Sequence, residues 1–220
     1  MQIRILYFGE NQNMSNPWEK IKLSDYENHM RLDSVMQLKI MNEIMREQFY
    51  DYDVSVAMIL GVAGGNGLNH IDTKRFKKVY GVDINDEYLK ECISRFPQLK
   101  DIFVPIQADL QSDKLTLQKS EIVIANLLIE YIGYESFQRV IFKVCPRYIS
   151  CVIQENGSSN FVSDSPYRHA FDQLKYIHHK ITECDLTLSM QKIRYKFMLR
   201  KEYMLPNAKK LLRLDYVLQA

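Results

Sequence analysis

The chain has 220 residues, 46% of them hydrophobic and 25% charged, and a net charge of +2; this suits one α/β domain with an additional element and sets up no field selecting nucleic acid or an acidic membrane. Cys92, Cys145, Cys151 and Cys184 form no C-x-x-C pair and have no ligand spacing with histidine, so scattered buried thiols in a reducing cytoplasm are expected, with no zinc site. No run approaches the ~18 apolar residues of a membrane span, and the apolar start is too short for a signal peptide; a soluble cytoplasmic protein is expected.

In chain order, Ile3, Ile5 and Tyr7 alternate as in a short strand, and Ser15-Asn16-Pro17 signals a turn before Trp18, the single tryptophan. A helix is predicted over 24–49. Ser24 and Glu27 have capping-box spacing, and Met30, Val35, Leu38, Met41, Ile44 and Met45 recur at helical spacing. Residues 55–60 read as a buried strand that runs into Gly61-Val62-Ala63-Gly64-Gly65-Asn66-Gly67. A helix over 67–76 and a strand over 79–83 follow. Asn85-Asp86-Glu87 starts a helix whose acids suit its dipole and which Pro97 stops.

Further strands are predicted at 102–107, 122–125 and 148–154, with a polar connection over 110–119 and a helix over 134–144. Residues 156–166 are the most loop-like stretch. Helices are predicted over 167–179 and 184–193, then strands over 197–204 and 209–218. Pro206-Asn207-Ala208 is so short a connection that the last two strands must pair antiparallel. The pattern is a doubly wound α/β fold: a mostly parallel seven-stranded sheet with one antiparallel strand, helices on both faces, and an N-terminal helical cap.

A buried strand, clustered glycines and then a helix is how an open α/β sheet builds a ligand site at its carboxyl edge. Glycines there accept positive φ and let a ligand approach the backbone. Neither G-x-G-x-x-G nor G-x-x-x-x-G-K-[ST] fits. What is present is Ala63, Gly65 and Gly67 in alternate positions, with Asp83 ending the next strand 18 positions after Gly65 (83 − 65). An acid near that distance can accept hydrogen bonds from both hydroxyls of a ribose.

With these residues the sequence resembles the class I S-adenosylmethionine-dependent methyltransferases. Gln107-Ala108-Asp109-Leu110 resembles the segment that holds the adenine. Glu121 to Ile132, EIVIANLLIEYI, resembles the fourth strand and the turn beside the methyl group. Residues 202–216 resemble the closing hairpin. The resemblance covers most of the chain after about Val54. It implies the strand order 3-2-1-4-5-7-6 and S-adenosyl-L-methionine as cofactor. It implies a cofactor site of Gly61, Ala63, Gly65, Asn66, Gly67, Asp83, Ile84, Asp109, Leu110 and Asn126. Two positions depart from the family: Gly61 stands where an acid is usual, and Ala63 where a glycine is usual. Loss of the acid removes a partner for the methionine end of the cofactor; Asn66 or the N-terminal segment is the available substitute. Residues 1–50 are expected as a helical segment and lid, and 51–220 as the methyltransferase-like domain.

Methyl transfer from a sulfonium mainly requires alignment and exclusion of water. A hydroxyl, amine or phenol acceptor adds use for a general base. His29, Glu130 and Tyr131 are the candidates. His29 is preferred because its segment can close over the site and its ordinary pKa is near neutral; Tyr131 is the second choice. A surface histidine early in an amphipathic helix is the commoner situation. The leading function is methyl transfer to a small-molecule acceptor. The alternatives are a non-catalytic cofactor-binding module of the same fold, or an RNA or protein methyltransferase. The latter is disfavoured by Asn126-Leu127-Leu128-Ile129, where amino-methylating enzymes often carry Asn/Asp-Pro-Pro-aromatic. An oligomer is compatible with the sequence.

Overall fold

The computed structural model describes residues 15–155 and 161–219. The strand expected around Ile3, Ile5 and Tyr7 and the first part of the expected loop over 156–166 lie outside the described residues. The sheet is built from β1 (Val56–Leu60), β2 (Lys78–Asp83), β3 (Phe103–Gln107), β4 (Ile122–Asn126), β5 (Tyr148–Glu155), β6 (Tyr195–Met204) and β7 (Lys210–Leu218). Its order is β3-β2-β1-β4-β5-β7-β6. The pairs from β3 to β5 are parallel, and β7 runs antiparallel to both β5 and β6. This is the expected seven-stranded sheet with one reversed strand.

The central strands are apolar on both faces because both are covered. Met58 and Leu60 of β1 join Val123 and Ala125 of β4 in one core, with Phe137 and Val140 of α4 (Ile129–Val144) and Leu186 of α5 (Glu183–Lys192). Ala57, Ile59, Ile122 and Ile124 point the other way. They meet Met45 and Phe49 of α2 (Gln37–Tyr50) and Leu89 and Cys92 of α3 (Asp86–Arg95). Each fully buried large side chain of this kind contributes about 1.5–3 kcal/mol. The site therefore rests on the most deeply packed part of the molecule.

Several elements differ from expectation. The helix predicted over 24–49 is two: α1 (Leu23–Arg31) and α2, broken over 32–36, with Met36 at φ +51°. The N–H groups of Val35 and Met36 both donate to Leu32 O, at 2.8 and 2.7 Å, closing a turn instead of continuing the helix. Ser24 lies inside α1, whose N-cap is Lys22 without a side-chain cap bond, so the capping box is not formed. The break aims α1 across the carboxyl edge of the sheet while α2 packs on its face.

The helix predicted over 67–76 is a single 3-10 turn at Leu68–His70. Gly67 has φ +93°, and the Asp72 backbone and carboxylate take the N–H groups of Phe76 and Lys74 at 2.9 Å each; such local bonds compete with a helix. The helix predicted over 167–179 is a 3-10 segment at Arg168–Tyr176, which aligns buried Phe171 and Leu174 on one side. The α4 helix starts earlier than predicted, with a first turn that ends at the non-helical Gly133. Of the four thiols, Cys92 and Cys151 are buried, but Cys145 and Cys184 are exposed. Among the described residues no helix is long and apolar enough to cross a membrane.

Candidate functional site

The turn after β1 is held by its neighbours. The N–H groups of Gly61 and Val62 donate to Val82 O at 2.8 and 3.1 Å. Gly61 has φ +68°, and Ala63 φ +47°, a conformation that costs a residue with a Cβ roughly 1–2 kcal/mol. The N–H of Ala63 donates to Asp83 Oδ2 at 2.9 Å, and the N–H of Asn85 to Asp83 Oδ1 at 2.9 Å. Burial raises the Asp83 carboxyl above its ordinary value, and these N–H bonds offset only part of the rise. Each Asp83 oxygen keeps a lone pair for a ligand donor.

Other predicted loop residues sit differently. Gly65 packs against α3: a Cβ there would stand 2.8 Å from the Phe96 ring. Gly67 packs against Met45 of α2. Neither is among the described residues that border the crevice. Asn66 borders the space near Ala63, but its amide donates to Leu38 O at 2.9 Å and accepts from Asn42 at 2.9 Å.

Gly61, Ala63, Asp83, Ile84, Asp109, Leu110 and Asn126 are brought together around a crevice at the carboxyl ends of β1, β2 and β4. Asp109 is exposed and accepts from the N–H of Gln111 at 2.8 Å; Leu110 is buried. The Asn126 amide pairs reciprocally with that of Gln48 on α2, at 2.9 and 2.8 Å. Trp18 and Tyr26 also border the crevice, whose volume is about 80 Å³. Small-molecule pockets span about 300–1,000 Å³, so the crevice must widen to take an adenosine-sized ligand.

A larger cavity of about 570 Å³ adjoins it. Trp18, Tyr26, Leu127 and Tyr131 border both spaces. Much of its wall is aromatic: Trp18 meets Tyr131 edge-on at 5.0 Å, Phe161 stacks on His178 at 4.1 Å, and His29 lies 4.9 Å from Phe171. Leu127, at φ +52°, is a second strained residue at the junction. Strain of this kind collects at ligand sites.

The three base candidates meet at this cavity. His29 is buried, with Nδ1 2.8 Å from Ser165 Oγ. Burial, with the Lys209 cation adding to it, lowers its imidazole to about 4. It is neutral at neutral pH and a weak base. Burial raises the Tyr131 hydroxyl, as does the nearby Glu130 charge. Glu130 is buried, and burial raises its carboxyl to about 7. Its Oε1 accepts from the N–H of Gln154 at 3.0 Å, while Oε2 has no hydrogen-bond partner. A carboxyl poised near neutrality is the better-matched proton acceptor. Its setting was readable: Glu130 stands inside the apolar run Ile124 to Ile132, where a charge is expensive.

Glu27 is the residue that sequence reasoning missed. It reaches from α1 over the turn and pairs with both guanidinium nitrogens of Arg95, one at 3.1 Å. Arg95 also donates to Gly64 O at 3.3 Å. The space between α1 and Gly61–Ala63 is bordered by Glu27, so an acid from the N-terminal segment stands close to where Gly61 lacks one. No local pattern marks this, since the partners are 68 positions apart.

No protein-family model matches the chain, and no curated protein matches its sequence. Solved structures do match. Magnesium protoporphyrin IX methyltransferase from Synechocystis PCC 6803 with bound SAH is 12% identical, with a TM-score of 0.66 over 92% of this chain and 96% of that one. The N-methyltransferase NodS from Bradyrhizobium japonicum WM9, in complex with S-adenosyl-L-homocysteine, is 11% identical, with a TM-score of 0.61 over 89% and 99%. The [4+2]-cyclase SpnF is 7% identical, with a TM-score of 0.62 over 86% and 85%. A cyclase among them shows that this architecture hosts more than one chemistry. At these identities the likeness is one of fold, and that fold is the class I S-adenosylmethionine-dependent methyltransferase fold.

Proposed function

We propose that this chain binds S-adenosylmethionine in the crevice and moves its methyl group to a small-molecule acceptor in the adjoining cavity. The observation that carries the reading is the Asp83 carboxylate, fixed against the strained turn after β1, with a ring-lined cavity opening from the same place. The residues fit the adenosyl group. Asp83 offers two acceptor positions for ribose hydroxyls, Ile84 and Leu110 offer apolar surface to a base, and Glu27 offers a carboxylate toward an amino group. When bound, the cofactor supplies a methyl carbon activated by a positively charged sulfur. The chain's part is to align a lone pair behind that carbon, exclude water and take up a proton.

Residues 17–31 act as the lid, since Trp18 and Tyr26 border the crevice and Glu27 the space at the turn. The helix α2 belongs with the sheet, on which Met45 and Phe49 pack. The small-molecule assignment is supported by the size of the cavity, about 570 Å³. It is supported too by a protein of like fold, a methyltransferase of magnesium protoporphyrin IX.

Isothermal titration with S-adenosylmethionine tests the reading. Binding is expected, and Asp83→Ala should weaken it by about 1–3 kcal/mol, roughly 5- to 150-fold. Asp83→Asn, which keeps one oxygen for the turn, should lose less. Absence of heat and of any thermal shift at millimolar cofactor would remove the proposal.

A further inference from the structure

The cavity beside the crevice has a charge character that restricts what can enter it. Among the described wall residues the one deeply buried charged group is Glu130, with Oε1 bonded to the N–H of Gln154 and Oε2 without a partner. The other charged residues on its wall are Glu155, which Lys210 neutralises at 3.3 Å, and the exposed Lys180. Burial holds His29 and His178 below their ordinary value, so both are mainly neutral near pH 7. Among the described wall residues no buried cation faces a carboxylate or phosphate on a ligand; the buried Lys209 is not one of them, its Nζ being bonded to Phe161 O at 2.8 Å. Such an anion would face Glu130, and like charges in a poorly solvated space repel strongly. Trp18, Tyr131 and Phe161 line the wall instead, Trp18 edge-on to Tyr131 and Phe161 stacked on His178. Ring faces attract a cation within about 6 Å of the centroid.

We propose that the acceptor is an amine: the Glu130 carboxylate, set in a wall of aromatic rings, receives an alkylammonium group carried on an apolar body and takes its proton. The N–H bond breaks with its electron pair left on nitrogen, and an O–H bond forms on Glu130. The charged pair becomes a neutral pair, which the buried setting favours. The freed lone pair is the nucleophile that methyl transfer needs. The inference rests on the methyltransferase reading only for what happens to the amine next.

Glu130 is surrounded by groups that must be separated from it in any pH experiment. Tyr131 and Tyr134 on α4 and Cys151 on β5 are all raised by burial, and so stay protonated between pH 6 and 8. His29 and His178 are lowered. Lys209, brought down to about 8 by burial, donates to Phe161 O at 2.8 Å, and its charge lowers His29. His179 donates its N–H to Glu130 O at 2.6 Å. All of these remain in Glu130→Gln, so the difference between that variant and the parent isolates the carboxyl.

The test is titration calorimetry without cofactor, using phenethylamine, 4-ethylphenol and 3-phenylpropionate as cationic, neutral and anionic probes of similar size. Phenethylamine should bind at least tenfold tighter than the other two at pH 8. Its affinity should fall about tenfold between pH 8 and pH 6, as a carboxyl with a pKa of about 7 protonates. Glu130→Gln should lose roughly the same tenfold at pH 8 and show a flatter profile. Equal or tighter binding of the phenol or the propionate, unchanged amine affinity in Glu130→Gln, or no amine binding at millimolar concentration overturns the proposal. If Glu130→Gln does not fold, the probe ranking and the parent's pH profile still decide. Cofactor binding is measured separately: a protein that binds S-adenosylmethionine but does not prefer the amine defeats this inference and leaves the methyltransferase reading standing.

Discussion

The Glu130 carboxyl is raised from 4.5 to about 7, mainly by burial, and this affects stability whatever the function. A folded-state pKa above the unfolded one means the folded protein holds the extra proton. The resulting stability is full below about pH 4.5 and is lost as pH rises through 7. Its size is on the order of 3 kcal/mol. His29 runs oppositely. Its folded value, lowered to about 4, gives stability that is present above about pH 6.5 and lost as pH falls toward 4. Between pH 4.5 and 6.5 the two slopes offset each other. Glu130→Gln removes only the first. The variant should therefore be more stable than the parent at pH 8, by up to about 3 kcal/mol, and fall faster in acid. Urea midpoints at pH 5 and pH 8 read this directly; a variant equally destabilised at both contradicts it. The neighbouring turn makes a second single-residue prediction. Ala63 holds φ +47°, and glycine adopts that region without the Cβ penalty. The relief of roughly 1–2 kcal/mol exceeds glycine's unfolded-state entropy cost of about 0.5–1 kcal/mol. Ala63→Gly should raise the melting temperature by about 2 °C, and a lowered one would refute the strain argument.

At the scale of elements, the lid is the part that function needs to move. Its contacts are polar and aromatic, with Trp18 edge-on to Tyr131 and Tyr26 stacked on Tyr88. Asn85 donates to Trp18 O at 3.0 Å, the Tyr88 hydroxyl to Ile21 O at 2.8 Å, and Arg95 pairs with Glu27. Ile21 adds an apolar contact with Phe171 and Leu174. Trp18 is the chain's single tryptophan, so its emission reports this segment alone. Titration with S-adenosylmethionine should shift that emission with the same midpoint as the calorimetric heat, because an 80 Å³ crevice must widen to admit the ligand. Heat without any change in emission would show that the lid stays where it is. The two helices of this region also show where sequence is blind. Met30, Val35 and Met41 are all buried, so the apolar stripe continues across the break at 32–36 and periodicity sees one helix. The central strands β1 and β4 were legible because their runs are apolar on both faces. Asp83 was legible because strand-end position and distance from the loop are local facts. Gln48 with Asn126, 78 positions apart, and Glu27 with Arg95, 68 apart, were not, because each pairing exists only once the sheet has formed.

At the scale of the whole molecule, one polar network crosses the fold beneath the site. Along β7, alternation sends Leu212, Leu214 and Tyr216 into the apolar core and turns Arg213 and Asp215 toward the other face. Both are fully buried. Arg213 binds Asp215 at 2.6 Å and reaches Asp51 at the end of α2 and Glu47 on it, at 2.9 and 3.2 Å. Asp215 also accepts from the hydroxyls of Tyr52 and Ser150. Gln48 donates to Ser150 at 2.9 Å and pairs with Asn126 at the crevice. The chain of bonds thus ties the reversed strand, α2 and β4 into one arrangement. Removing one partner of a buried pair leaves a charge without compensation, at a cost of about 3–5 kcal/mol, whereas replacing both by apolar groups is often near neutral. Arg213→Met should lower stability by that amount in chemical denaturation. Arg213→Met with Asp215→Leu should recover much of it, less the bonds that Tyr52 and Ser150 lose. Cofactor affinity separates the network's two roles. If it also positions Asn126, the double variant will be stable yet bind S-adenosylmethionine more weakly than the parent. If affinity returns along with stability, the network serves the fold alone, and Asn126 is held by Gln48 without help from β7.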